Sequence, residues 1–211
     1  MLPADPVLLA QRISALLAAA GTTHRVIIGV AGAPGAGKST FAAKVADACG
    51  PAATLVAMDG FHLAQRVLDD LGLAEIKGAP ETFDADGYLA LLARLAREPD
   101  GAFIYAPEFR RSIEEPIAGA VPVPPSARVV ITEGNYLLLD TPPWDRVRSL
   151  ATEVWFLDTP ETVRLEWLIS RHVAFGRSPD SARDRAVHGS DGRNAALVLT
   201  SRDRADVILR P

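Results

Sequence analysis

The chain has 211 residues, long enough for one domain with a full hydrophobic core and short for two without a visible linker. With 48% apolar and 23% charged residues it reads as a folded protein, and its net charge of −4 leaves no electrostatic footprint for nucleic acid, so no such partner is expected. One cysteine excludes an internal disulfide or a cysteine-based metal cluster. No apolar run reaches membrane-spanning length, and the opening Met-Leu-Pro-Ala-Asp-Pro lacks the basic start of a secretory signal. A cytoplasmic protein without a membrane partner is expected.

Residues 6–20 place Val7, Leu8, Ile13, Leu16 and Leu17 on a helical period, with Asp5 as cap, Pro6 in the first turn and Gly21 as stop. The apolar run 26–30 reads as a buried strand. It feeds Gly32-Ala33-Pro34-Gly35-Ala36-Gly37-Lys38-Ser39, which fits G-x-x-x-x-G-K-[ST] at every fixed position between a strand and a helix at 38–48. Gly32, Gly35 and Gly37 let backbone N–H groups turn inward around a polyphosphate, and the helix start presents its positive end to the same anion. In such a loop Lys38 reaches the β- and γ-phosphates, Ser39 ligates Mg²⁺, and Thr40 offers a hydroxyl to the α-phosphate. Cys49 reads as a small core residue.

Residues 54–58 form a second buried strand that delivers Asp59-Gly60-Phe61-His62 at its carboxyl end, the edge where ligands bind in open α/β sheets. An acid there, facing a phosphate loop, suits a general base or a metal-shell group; a helix cap is the plainer alternative. A short helix at 63–71 and a long loop at 72–82, suited to a mobile flap, follow. Asp84 or Asp86 caps a helix reaching about Arg97, with Tyr88, Leu91, Leu92 and Leu95 on one face, stopped by Glu98-Pro99-Asp100-Gly101. Runs at 102–105 and 115–121 suggest a small antiparallel excursion. Between them Arg110 and Arg111 form a pair that is usually solvated unless an anion faces it.

The strand at 128–132 ends in Glu133-Gly134-Asn135-Tyr136, which puts Glu133 where a carboxylate holds Mg²⁺ through water. A fourth central strand spans 153–158. Pro160 opens a helix through about Phe175 with Arg164 and Arg171 seven residues apart and so on one face. Residues 177–193, with Arg177, Arg183, Arg185, His188 and Arg193, have little to bury and suit a mobile lid; a charged surface helix is the alternative. A helix at 194–200 and a strand at 205–209 follow.

Taken together, the loop at 32–39, Met58-Asp59-Gly60-Phe61-His62, Tyr105-Ala106-Pro107 with Arg111, Thr132-Glu133-Gly134-Asn135-Tyr136, Arg164 and Arg171-His172 resemble the phosphoribulokinase, uridine kinase and pantothenate kinase group of P-loop kinases. The similarity runs over about 25–209 and is nearest to a bacterial subgroup known as nucleoside/nucleotide kinase family proteins or fructose transport system kinases. It implies an α/β P-loop NTPase fold, three-layer α/β/α, with a five-stranded parallel sheet of order 2-3-1-4-5. A small antiparallel excursion and a helical lid at about 171–193 would complete a single domain, 1–211. It implies an ATP-dependent kinase that uses Mg²⁺ to transfer the γ-phosphate to a hydroxyl of a small-molecule acceptor, whether nucleoside, sugar or pantothenate-like.

By the same resemblance Asp59 is the base, Glu133 supports the metal, and Arg164 and Arg171 neutralise the moving phosphoryl group. Phe61, His62, Tyr105, Arg111 and Tyr136 line the acceptor pocket. The group tends to carry Asp where Arg110 stands here, a departure that bears on acceptor choice. Its members are often dimers, and no stretch announces an interface, which leaves a homodimer open. A GTPase switch would need Asn-Lys-x-Asp, yet the asparagines are Asn135 and Asn194, followed by Tyr and Ala. A nucleotide-binding regulatory or transport-associated protein without phosphotransfer is the other alternative; the presence of both Asp59 and Glu133 argues against it.

Overall fold

The computed structural model describes residues 1–21, 24–97 and 101–211; most of the expected stop at 98–101 lies outside them. Six strands form one parallel sheet: β1 (Leu2–Pro3), β2 (Val26–Ala31), β3 (Ala53–Ala57), with β4 (Ile104–Arg110) and β5 (Glu115–Val123) set apart, then β6 (Val129–Gly134), β7 (Glu153–Leu157) and β8 (Val207–Arg210). Across the sheet the order is β3-β6-β2-β7-β8-β1. Leaving β1 aside, the five strands run 2-3-1-4-5 as expected. The sixth comes from Leu2 and Pro3, which pair with Leu209 and Arg210 in a stretch too short to show a periodicity.

Each central strand is a continuous apolar run because both sheet faces are covered. Successive side chains alternate, so Ile28 and Val30 join Trp155 and Leu209 on one face, while Ile27 and Ala31 join Val130 and Phe156 on the other. The first face is closed by α1 (Pro6–Ala20) and α2 (Lys38–Cys49), with Cys49 partly buried against it. α1 starts where expected, with Asp5 Oδ1 accepting from the N–H groups of Val7 and Leu8 at 2.8 and 3.2 Å. Its buried stripe is Leu9 and Ile13, not Val7 and Leu8, which remain 64% and 40% exposed. Ile13, Leu16 and Leu17 face the core as expected, and only the first turn departs, with Leu9 taking the inward place.

The opposite face is closed by α4 (Ala85–Ala96), whose Tyr88, Leu91, Leu92 and Leu95 are buried as the pattern predicts, and by α5 (Val147–Leu150). Asp84 is the α4 cap, accepting from Gly87 N–H at 2.9 Å. A short α3 (Gln65–Leu71) precedes the 72–82 stretch, which contains two 3₁₀ turns. After β7 come α6 (Glu161–Ala174), α7 (Pro179–Val187) and α8 (Ser190–Leu199), so the polar 177–193 region is largely helical.

The register of the central strands is what builds the site. Glu133 of β6 lies abreast of Val30 on β2 and of Ala57 on β3. Two residues beyond Val30 the phosphate loop begins, and two beyond Ala57 stands Asp59. Three segments far apart in sequence thus end at one edge of the sheet, their carboxyl edge.

Candidate active site

The loop between β2 and α2 is an open cradle whose last residue, Gly37, is left-handed (φ 86°) as the α2 N-cap. The first N–H groups of α2 have no partner within the helix and are available to an anion. α6 packs directly on this loop: a Cβ on Gly35 (φ 84°) would lie 2.8 Å from both the Arg164 carbonyl and Leu168 Cβ. Only glycine permits that approach.

Lys38 is 8% exposed, and its ammonium donates to the Ala33 carbonyl at 3.1 Å and to Asn135 Oδ1 at 2.6 Å. Burial lowers its pKa to about 8, against the opposing pull of Glu133 and Asp59. Ser39 Oγ donates to Glu133 Oε1 at 2.9 Å. Glu133, 3% exposed, is pushed up to about 7 by desolvation and then by Asp59, with Lys38, the Ser39 hydrogen bond and Arg111 pulling the other way. A hydroxyl beside a buried carboxylate is an oxygen donor set suited to a hard divalent cation. Among the described residues no group of three or more His, Cys, Asp or Glu side chains could hold a metal alone, so phosphate oxygens and water would complete such a shell.

Arg111 pairs with Asp59 at 3.2 Å and, with Arg171, Trp167, Gly35, Gly37, Lys38, Ser39 and Thr40, lines a polar cavity of about 330 Å³. Burial and the nearby Arg111 lower the Arg171 pKa from its ordinary value. A second, more apolar cavity of about 490 Å³ adjoins it, sharing Gly37, Thr40 and Trp167 and running past Phe41, Leu157 and Pro211.

Several expected site residues stand elsewhere. Arg164 is 3% exposed and committed: it donates to the Pro34 carbonyl at 2.7 Å and grips Glu161 with two 2.7 Å bonds. It shares a helix face with Arg171, but seven residues of helix separate them by about 10 Å along the axis. The first therefore lands on the back of the loop and the second in the cleft. Tyr136 is fully buried among Phe83 and Trp144, its hydroxyl donating to the Gly78 carbonyl. Phe61 packs edge-on to Tyr88 and belongs largely to the core.

Tyr105 is 58% exposed and stacks on Phe103. The burial phase of β4 switches between Ala106 and Pro107, at a register shift against β5, so that 104 and 106 face in before the shift and 107 and 109 after it. Phe109, not Tyr105, thereby faces His62, their ring centroids 4.6 Å apart. His62 also packs at a tilt of 43° on Phe83, their centroids 4.0 Å apart, and its Nδ1 lies 2.8 Å from the Asp59 carbonyl. At this crossing the Pro107 carbonyl passes so close to Gly60 that a Cβ there would lie 2.4 Å away.

The 72–82 stretch is fastened on both banks. Gly78 O accepts from Tyr136 and from Asn194 Nδ2 at 3.1 Å, and Lys77 O accepts from Arg185 at 3.3 Å. α7 and α8 are themselves tied to α6 through Asp191, which takes His172 at 2.6 Å and Arg185 at 3.4 Å. Asn135, Phe109, Lys77 and Trp167 escaped the sequence reading. Trp167 had a signal, lying one turn before Arg171 on the same face, and so did Phe109, two residues before Arg111.

A parallel sheet of order 2-3-1-4-5, a phosphate loop at its carboxyl edge and two carboxylates on the neighbouring strand ends define a P-loop nucleotide-binding protein of the kinase type. Comparison with known proteins agrees. The model of the Phosphoribulokinase / Uridine kinase family matches residues 27–210. A Schizosaccharomyces pombe protein provisionally named uridine kinase C227.14 is 35% identical over 186 residues, covering 84% of this chain and 77% of that protein. The uncharacterized Escherichia coli protein YggC is 33% identical over 202 residues, 92% of this chain and 82% of its own. A crystal structure from Silicibacter sp. TM1040, provisionally described as a fructose transport system kinase, superimposes with a TM-score of 0.87 at 35% identity, covering 97% of this chain and 98% of that one. The chain belongs to the phosphoribulokinase/uridine kinase family of ATP-dependent kinases. Among the described residues no helix is long and apolar enough to cross a membrane.

Proposed function

We propose that the protein is a cytoplasmic kinase that transfers the γ-phosphate of ATP to a hydroxyl of a small-molecule acceptor. The observation that carries this reading is the strand register: Ala57 and Val30 flank Glu133, so Asp59 and the phosphate loop emerge side by side. A loop that binds nucleotide without transferring phosphate has no need of a second carboxylate there.

In this reading Lys38 leaves Asn135 to meet the β- and γ-phosphates, and the N–H groups at the α2 start hold the rest of the chain of phosphates. Bound Mg²⁺, held by Ser39 with Glu133 behind it, would neutralise charge on the phosphate oxygens. Trp167 and the apolar cavity beside it offer a face for the base. Asp59 orients the acceptor hydroxyl and takes its proton. The acceptor oxygen bonds to the γ-phosphorus as the bond from that phosphorus to the β–γ bridging oxygen breaks, leaving ADP. Arg171 and Arg111, both lining the cleft, spread the developing charge. Arg164 supports the loop from behind. α7 and α8, fastened to the 72–82 stretch, act as a lid that excludes water.

Acceptor-dependent ADP release, measured across nucleosides, sugars, sugar phosphates and pantothenate, tests the assignment. Stimulation by a hydroxylated small molecule supports it. Tight binding of an ATP analogue with no stimulation by any acceptor would instead favour a nucleotide-binding regulator.

A further inference from the structure

The acceptor side of the cleft carries a positive charge that its own carboxylates leave unbalanced. Arg111 is matched by Asp59, and Arg185 by Asp191. Lys77, half-buried, donates to Gln65 Oε1 at 3.0 Å and to the Glu114 carbonyl at 2.7 Å, both neutral acceptors. Among the described residues no carboxylate makes an ion pair with it. The Glu115 carboxylate, next along the chain from Glu114, is spent on the Gln65 N–H. An ammonium has three donors, so one remains for a ligand.

Lys77 and Arg111 stand over the same ring, at 5.5 and 6.0 Å from the Phe109 centroid, and that ring packs on His62, whose Nδ1 touches the Asp59 backbone. Asp59, His62, Phe109 and Lys77 are thus joined by successive contacts, with a carboxylate at one end and a spare cation at the other, and Arg111, which lines the cleft, touches both Asp59 and Phe109. Arg111 also occupies the carboxylate that a base must have free. A competing anion would draw that guanidinium away.

Building on the kinase reading, we infer that the acceptor is a hydroxylated anion, a carboxylate or a phosphate ester, and that Lys77 anchors its negative group while its hydroxyl lies at Asp59. Arrival of the anion transfers Arg111 from Asp59 to the acceptor and releases the base. A neutral nucleoside or free sugar supplies neither interaction.

The experiment is steady-state ADP release with three matched pairs: D-glycerate and glycerol, pantothenate and panthenol, ribose 5-phosphate and ribose. An anionic member should exceed its neutral partner by at least about tenfold in kcat/KM, as expected for a hydrogen bond to a charged group, and the pairs separate carboxylate from phosphate. Lys77→Met should raise KM for that acceptor by about tenfold or more while kcat and the KM for ATP hold, and Lys77→Arg should restore most of the loss. A role limited to fastening Glu114 would instead lower thermal stability and leave the KM of the folded enzyme in place, which overturns the inference. So does a neutral member that matches its anionic partner; if that activity still depends on Asp59, the kinase reading survives alone. Silence from all six compounds sinks the inference; the transferase reading falls with it only if nucleosides are silent too while ATP-analogue binding persists.

Discussion

The Arg164 guanidinium donates to the Pro34 carbonyl at 2.7 Å, so the arginine nearest the phosphate loop holds that loop from behind and leaves the cleft to Arg171. The two therefore fail in different ways when removed. Arg164→Ala strips a buried carbonyl of a charge-assisted bond and should cost about 1.5–3 kcal/mol, lowering Tm by roughly 5 °C and weakening ATP binding. Arg171→Ala should leave Tm within a degree or so while kcat falls by about a hundredfold or more. Differential scanning calorimetry beside steady-state kinetics separates them; equal losses of stability in both variants would contradict the assignment.

Asp59→Asn retains the size of the side chain and its place beside Arg111. Affinity for an ATP analogue, measured by calorimetry, should be unchanged, while turnover drops by roughly a hundredfold or more because no base remains to take the proton. Lys38→Ala is the contrasting case, since it should damage both nucleotide binding and rate. Normal turnover in Asp59→Asn would remove the base from this position.

The pH profile follows from opposed shifts at two buried groups. Glu133 is pushed up to about 7, so below that pH it is protonated and a poor partner for a cation; Lys38 is lowered to about 8, so above that pH it loses the charge that meets phosphate. In the free enzyme kcat/KM for ATP should rise as pH climbs through 7 and fall beyond 8. Glu133→Gln should abolish the acid limb and leave the alkaline one. An acid limb that persists in Glu133→Gln belongs to another group.

Gly60 has no room for a methyl group, because a Cβ would sit 2.4 Å from the Pro107 carbonyl, which is backbone and cannot rotate away. Gly60→Ala must displace either the turn bearing Asp59 or the ribbon bearing Phe109. Such overpacking costs about 1–3 kcal/mol. The loss should be confined to acceptor KM and kcat, with ATP affinity retained, and parallel titrations of the two substrates would detect any other pattern.

The nucleotide half was legible because it depends on local sequence. The phosphate loop announces itself in eight consecutive residues, and Glu133 closes a strand whose apolar run is unmistakable. The acceptor half depends on register and phase. Tyr105 and Phe109 are four residues apart, and only the phase switch at Pro107 decides which one faces His62. Tyr136 follows the Glu133 strand closely, yet a turn buries it among Phe83 and Trp144, where its hydroxyl serves the Gly78 carbonyl. No short-range pattern encodes either outcome. The anchors of the 72–82 stretch were hidden for a related reason: Arg185 and Asn194 lie more than a hundred residues downstream.

Because β3 and β6 are parallel neighbours, the chain between them leaves the sheet at the carboxyl end of β3 and returns at the amino end of β6, where Arg128 N–H bonds the Ala52 carbonyl. That crossover carries Asp59, His62, Phe109 and Arg111, while the phosphate loop belongs to the connection between β2 and α2. A graft from another family member would have to reproduce the α4 face that covers the sheet, as well as the carbonyls of residues 77 and 78 that receive Arg185, Asn194 and Tyr136. Evolution could thus have changed what is phosphorylated while leaving the machinery that handles ATP untouched.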